Sequence, residues 1–273
     1  MGEQIKKTVS ILGCGWLGLP LAENLLERGY AVHGSTTTSH KLESLNSKGI
    51  HAFYVELTEQ EVKGEVLPFL SEAKTLVIDI PPGLRKKPDS NFEVKIKRLI
   101  AKIELSSVEK VIFISSTSVF EDALDFPVYT ENTIPNGKSN SAQQLLNVEK
   151  LLQSNSHFKT TIIRFGGLLG ENRHPVKFLS GRQGISSGDA PVNLIQQKDC
   201  ISLIERVLEL DAFEEVFHGV YPSHPTKKEY YQEQAKNRNL ELPVFEENSA
   251  SLGKVISSTF TEKRLDFSFT CNI

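Results

Sequence analysis

The chain is 273 residues long, enough to bury a substantial core, and its 31 basic residues nearly balance 34 acidic ones for a formal net charge of -3. That balance, with no basic run longer than Arg85-Lys86-Lys87, excludes the footprint of a nucleic-acid binder, and no apolar run reaches the ~20 residues that span a bilayer. Cys14, Cys200 and Cys271 are too scattered for a disulfide framework, the histidines show no paired ligand spacing, and residues 1–7 are too short and polar for a signal peptide; a soluble, cytoplasmic chain without a metal is expected. From the N-terminus, short apolar runs alternate with amphipathic ones. Residues 9–12, 31–34, 52–56, 75–80, 111–115 and 160–165 read as strands, and residues 16–28, 41–48, 91–105 and 141–153 as helices. Strands apolar on both faces, separated by helices, predict an α/β fold with a doubly wound parallel sheet. Beyond Phe165 the pattern loosens into a glycine-rich stretch with Pro175 and Pro191. A strand at 192–195, a helix at 201–210, a strand at 216–221 and a helix at 227–238 follow. Two domains are expected: residues 1–165, and a smaller substrate-binding region, 166–273, partly interleaved with the first.

The most informative stretch is residues 8–22, TVSILGCGWLGLPLA, where Gly13, Gly15 and Gly18 stand in a G-x-G-x-x-G pattern between a strand and a helix. The first glycine allows a sharp turn out of the strand. The second removes a side chain so that a diphosphate can approach the backbone, and the third lets the helix pack closely on the sheet. The diphosphate would sit at the positive end of that helix. The pattern in this strand–turn–helix context predicts a bound dinucleotide on a Rossmann-type sheet. In such folds a carboxylate at the end of the second strand bonds the adenine ribose of NAD and repels the extra phosphate of NADP. Here that position reads His33-Gly34-Ser35-Thr36-Thr37-Thr38-Ser39-His40-Lys41, without a carboxylate. NADP is therefore the expected cofactor, with NAD the alternative. The expected cofactor contacts are Gly13, Gly15, Trp16, Leu17 and Gly18 in the loop, Thr36 and Thr37, Glu56 near the adenine, Ile80, Pro81 and Pro82 as a wall, and Ser115. Asp79 ends the fourth strand beside the same crevice, and Cys14 reads as a small space-filling side chain.

Together with this loop, Ser115-Ser116-Thr117-Ser118-Val119-Phe120 resembles the "SS-x-x-VYG" of the extended short-chain dehydrogenase/reductases, the NAD-dependent epimerase/dehydratase family. Arg164-Phe165-Gly166-Gly167-Leu168-Leu169-Gly170 is similar to that family's "R-x-x-x-x-YG", and Val192-Asn193-Leu194-Ile195 with Asp199 to its "vNxIhvxD". His224-Pro225-Thr226 and the segment 254–267 resemble a bacterial subgroup of atypical members, so the likeness covers nearly the whole chain. It implies oxidoreductase or epimerase chemistry on a sugar-nucleotide-like small molecule, and a homodimer paired through helices that include the one carrying Ser141.

The family's chemistry needs Tyr-x-x-x-Lys on the helix after the Ser/Thr motif, where residues four apart share a face. The lysine lowers the phenol pKa and holds the nicotinamide ribose, and the tyrosinate takes the hydroxyl proton. With Val148-Glu149 aligned to the family's closing "aE", the tyrosine position is Ser141 and the lysine position Leu145. No tyrosine of the chain has lysine four residues later. A serine hydroxyl is a far weaker acid than a phenol of pKa about 10, so the usual mechanism is expected to fail and the site to be atypical. The residues left to it are Ser116, Thr117 and the loop residue Tyr129 as catalytic candidates, with Ser118, Arg164, Arg173 and Asn193 for substrate. A protein that holds the cofactor without turning it over, as a sensor or scaffold, is the alternative.

Overall fold

The computed structural model describes residues 7–84, 86–247 and 250–273; Arg85 and most of the polar N-terminal stretch lie outside the described residues. In chain order the elements are β1 (Thr8–Leu12), α1 (Gly18–Glu27), β2 (Ala31–Thr36), α2 (Leu42–Asn46), β3 (His51–Leu57), β4 (Val62–Gly64), α3 (Val66–Leu70), β5 (Ala73–Ile78), α4 (Phe92–Ile103) and β6 (Lys110–Ser116). There follow β7 (Val128–Tyr129), α5 (Asn140–Gln153), β8 (Lys159–Phe165), β9 (Gly167–Leu169), α6 (Val176–Leu179) and β10 (Leu194–Gln196). The last are α7 (Gln197–Glu209), β11 (Val216–Gly219), α8 (Lys227–Asn237), β12 (Val255–Ile256) and α9 (Thr259–Leu265). No helix among the described residues is long and apolar enough to cross a membrane.

Eight strands form one sheet in the order β11-β8-β6-β5-β1-β2-β3-β4. β1 pairs in parallel with β2 on one side and β5 on the other, and β2–β3 and β5–β6 are parallel too. Only β4 is antiparallel among these, at the edge beside β3. The sheet is the predicted doubly wound α/β arrangement, and its order turns at β1. That is the switch point where such sheets open a crevice beyond their strand ends. The central strand shows why the residues choose this layer. Val9, Ser10, Ile11 and Leu12 are all buried, and the one hydroxyl among them, Ser10 Oγ, donates to Phe69 O at 2.7 Å. A strand covered on both faces has no use for polar alternation.

Two compact units, each assembled from separated stretches, make up the chain. The first is Met1–Ser115, Ser139–Ile163 and Val207–Val216; the second is Ser116–Lys138, Arg164–Arg206 and Phe217–Ile273. The sequence expectation divides the chain at residue 165 with the second region partly interleaved with the first; here the chain leaves the first unit after Ser115 and returns to it at Ser139. Within the first unit α5 buries Ala142, Leu145, Val148, Glu149 and Leu152, and α4 buries Phe92, Ile96, Leu99 and Ile103. Both patterns recur at helical spacing and give each helix one apolar stripe. The helices also meet through polar groups: Gln144 Oε1 accepts from Phe92 N at 2.7 Å, and Asn147 Nδ2 donates to Glu93 Oε2 at 2.8 Å. In the second unit β9 pairs with β10 and β7 with β12, both in parallel, and Leu169, Val192, Leu194 and Tyr230 form a small core. A capping box of Thr226 and Glu229 starts α8.

The start of α5 rests on one side chain, since Ser139 Oγ accepts from Ala142 N at 3.1 Å. Removing such a cap leaves an orphan N–H. Ser139→Ala is expected to lower the unfolding free energy by about 1 kcal/mol, and Ser139→Asp to retain it, in urea melts.

Candidate functional site

The turn out of β1 is built by backbone contact. Gly13 has φ +106°, and a Cβ there would stand 2.5 Å from Asp79 O. A Cβ on Gly18 would stand 2.2 Å from Gly13 O. Position 15 is different: a Cβ on Gly15 would meet nothing within 4 Å. Two glycines are therefore required by the fold and the middle one by the space in front of it, which is the cradle that a diphosphate needs. The loop is pinned to β2, because Gly13 N donates to Ser35 Oγ at 2.9 Å and Cys14 N to Ser35 O at 2.8 Å. Gly15 N turns back to Gly13 O at 2.8 Å. α1 then begins with no side chain capping its first turn, which leaves the positive end of a ten-residue helix behind the loop.

In front of this loop lies a cavity of about 440 Å³, formed within the first unit. Gly13, Cys14 and Gly15 form one wall, and Ser35, Thr36, Thr37, Thr38 and Lys41 another. Glu56 with Val55 and Leu57, Asp79 with Ile80 and Pro81, and Lys87, Phe92 and Lys95 complete it. Glu56, Leu57, Lys87 and Lys95 also line an adjoining polar cavity of about 520 Å³. The Tyr54 hydroxyl donates to Glu56 Oε2 at 3.0 Å, and this bond raises the tyrosine pKa. Burial pushes the Cys14 thiol up to about 12, so the side chain fills space and carries no thiolate at neutral pH. Of the expected cofactor contacts, Gly13, Gly15, Thr36, Thr37, Glu56, Ile80 and Pro81 line the cavity. Trp16 and Leu17 in the turn, Gly18 at the start of α1 and Pro82 beyond β5 are absent from its lining. Ser115 is also absent; it is buried, and its hydroxyl donates to the buried Glu149 Oε1 at 2.6 Å. Ser35, Lys87, Phe92 and Lys95 were not singled out as cofactor contacts from sequence. Lys87 and Lys95 arrive from the segment after β5 and from α4, and only the tertiary fold brings them to this cavity.

On α5, Leu145 is buried at 4% exposure, so the position expected to carry a lysine is part of the apolar stripe. The remaining candidates belong to the second unit. Ser116 Oγ accepts from Ser118 N at 3.1 Å, capping the short 3₁₀ turn after β6; Thr117 is buried and Ser118 exposed. The Tyr129 hydroxyl donates to Glu121 O at 3.1 Å and accepts from Asn136 Nδ2 at 3.2 Å, while its ring stacks on Phe120 at 4.6 Å. The buried guanidinium of Arg164 lies 5.3 Å from the centre of the same Phe120 ring. Asn193 spends its amide on the backbone, donating to Lys254 O and accepting from Ile256 N, both at 2.8 Å. Arg173 is exposed in a tight turn that bridges to Gly170. The fold thus gathers Tyr129 and Arg164 around Phe120, and gives Asn193 the task of holding β12.

Comparison with known proteins follows the same lines. Residues 13–195 match the NAD(P)H-binding family. The chain is 31% identical over 266 residues, 96% of each chain, to Protein YeeZ of Escherichia coli (strain K12). Among solved structures it is similar in fold to UDP-N-acetylglucosamine 4-epimerase from Bacillus cereus (TM-score 0.78, 15% identity, covering 98% of this chain and 92% of that one). UDP-glucuronic acid 4-epimerase from Bacillus cereus, solved in complex with NAD, gives a TM-score of 0.78 at 17% identity, covering 97% and 92%.

Two histidines of the second unit are buried in neutral form. Desolvation lowers His218 to about 4, with Arg164 adding to the effect, and lowers His174 to about 4, with Arg238 and Lys177 adding. Between that value and the ordinary 6.5 the unfolded chain binds protons that the fold refuses, so stability is lost as pH falls through this window. Urea midpoints are expected to drop steadily from pH 6.5 towards 4; a flat profile between pH 6.5 and 5 would contradict the assignment.

Proposed function

The chain belongs to the NAD(P)H-binding family that its residues 13–195 match, and from that premise we propose that it binds NADP and works as an oxidoreductase or epimerase on a sugar-nucleotide-like small molecule. One observation carries the cofactor half. The cavity joins a side-chain-free wall at Gly15 to a second-strand end made of Thr36, Thr37, Thr38 and Lys41, without a carboxylate. In this reading the loop and the start of α1 hold the diphosphate, since backbone N–H groups and the helix dipole favour an anion there. Thr36, Thr37 and Lys41 hold the 2′-phosphate, as hydroxyl and ammonium donors suit a dianion. Glu56, fixed by Tyr54, accepts from the adenine amino group, and Ile80 and Pro81 form an apolar wall. A bound nicotinamide supplies hydride transfer. Ser116, Thr117 and Ser118 supply hydroxyls to a substrate oxygen, and Arg173 supplies a cation to a substrate phosphate. The substrate class draws on the UDP-sugar epimerases to which the fold is similar.

A second reading, a protein that holds the cofactor without turning it over, is favoured by the buried Leu145 and by the engaged hydroxyl of Tyr129. Neither supplies what a tyrosinate and its lysine would supply. The two readings part on turnover. NADPH oxidation across a panel of sugar nucleotides and aldehydes supports the first, and its absence with binding intact supports the second. Activity created by Ser141→Tyr with Leu145→Lys, where the wild type has none, would also favour the second.

The cofactor assignment is tested on the loop itself. Gly15→Ala is expected to leave the melting temperature unchanged, because its Cβ meets nothing within 4 Å, and to weaken NADPH binding by at least about tenfold in calorimetric titration. Lys41→Ala is expected to weaken NADPH and spare NADH. Equal affinity of wild type and Gly15→Ala for NADPH would overturn the assignment.

A further inference from the structure

The ladder between β1 and β2 ends with Ile11 opposite Gly34, one residue short of the loop. Ser35 continues it by other means. Its carbonyl accepts from Cys14 N at 2.8 Å, and its hydroxyl, on a side chain at 1% exposure, accepts from Gly13 N at 2.9 Å. Both donors lie at the point where the chain turns with φ +106° at Gly13. A turn of this kind has no helix or strand partner for its first N–H groups, so their acceptors decide whether it keeps one shape. The same strand runs directly into Thr36, whose Oγ1 accepts from Thr38 N at 3.1 Å and so orders the opposite end of the cavity.

We propose that Ser35 is a positioning residue for dinucleotide binding, the side chain that sets the glycine loop in its diphosphate-ready form. This rests on the NADP reading given above. Gly13 N is held by Ser35 Oγ and Gly15 N by Gly13 O, so the direction of the loop backbone that faces a diphosphate is inherited from Gly13. Without the Ser35 hydroxyl, Gly13 N loses its acceptor in a half-buried place, a cost that the loop relieves by turning away. The consequence is selective. A ligand that reaches across the loop suffers, and one that touches only the β2 end does not.

The test uses the full chain and two ligands, NADPH and adenosine 2′-phosphate, which carries the 2′-phosphate and adenine but no 5′-diphosphate. In calorimetric titrations Ser35→Ala is expected to weaken NADPH about tenfold and to leave adenosine 2′-phosphate within about twofold. Ser35→Thr, which keeps the hydroxyl, is expected to bring NADPH back to within about threefold of wild type. Unchanged NADPH affinity in Ser35→Ala, or a parallel loss of both ligands, overturns the proposal, the second by showing a general structural role. A wild-type chain that binds neither ligand overturns the NADP reading and this proposal with it, whereas wild-type binding of both confines any failure to Ser35.

Discussion

Three backbone segments meet at contact distance at the heart of the first unit: the end of β1, the start of α1 and the end of β5. Gly13 lies against the carbonyl of Asp79, and Gly18 against the carbonyl of Gly13, with no room for a Cβ at either place. That closeness fixes where α1 starts and which way its positive end points. It also leaves Gly15 facing open space, so the crevice in front of the loop is a product of packing behind it. The cavity walls from β2, β3 and the segment after β5 then follow from the strand order, since β1 has β2 on one side and β5 on the other.

The polar character of that cavity is set at the end of β2. Hydroxyls and Lys41 stand where NAD-binding folds place a carboxylate, and Lys87 and Lys95 add positive charge from other elements. Glu56 and Asp79 are the acids of the lining. Glu56 is tied to a tyrosine hydroxyl, and Asp79 lies beneath the loop. On the reading proposed above, this charge arrangement is what selects the 2′-phosphate of NADP. Leu145 completes the apolar stripe of α5, and Glu149 on the same helix holds Ser115 at the end of β6.

Much of this was legible in the residues. The alternation of short apolar runs with amphipathic stretches pointed to the sheet and its helices, because a run buried on both faces and a 3.6-residue period are distinct signals. The glycine spacing and the missing carboxylate after β2 pointed to the cavity that the structure contains. What was not legible has physical causes. β4, β7, β9 and β12 run for three residues or fewer, too short for a period to show. The chain's passage from the first unit to the second and back, through 116–138, reads from sequence only as a polar, proline-containing loop, since composition marks a loop and not the unit it joins. Side-chain partners are invisible to spacing: Asn193 reads as a polar candidate for substrate, yet its amide is spent on the backbone of Lys254 and Ile256. Ser35 hides for the opposite reason, being one hydroxyl among several in a row.

The loop carries its own reporter. Trp16 is the one tryptophan in the sequence, and it follows Gly15 directly, so indole emission comes from the place where the dinucleotide is assigned. Titration with NADPH under indole excitation is the most direct measurement. Saturable quenching of Trp16 with a matching rise of nicotinamide emission, reached at lower concentration with NADPH than with NADH, is the expected result. Indole emission that stays unchanged up to about 1 mM NADPH, after correction for absorbed light, would contradict a dinucleotide held by Gly13, Gly15 and Gly18.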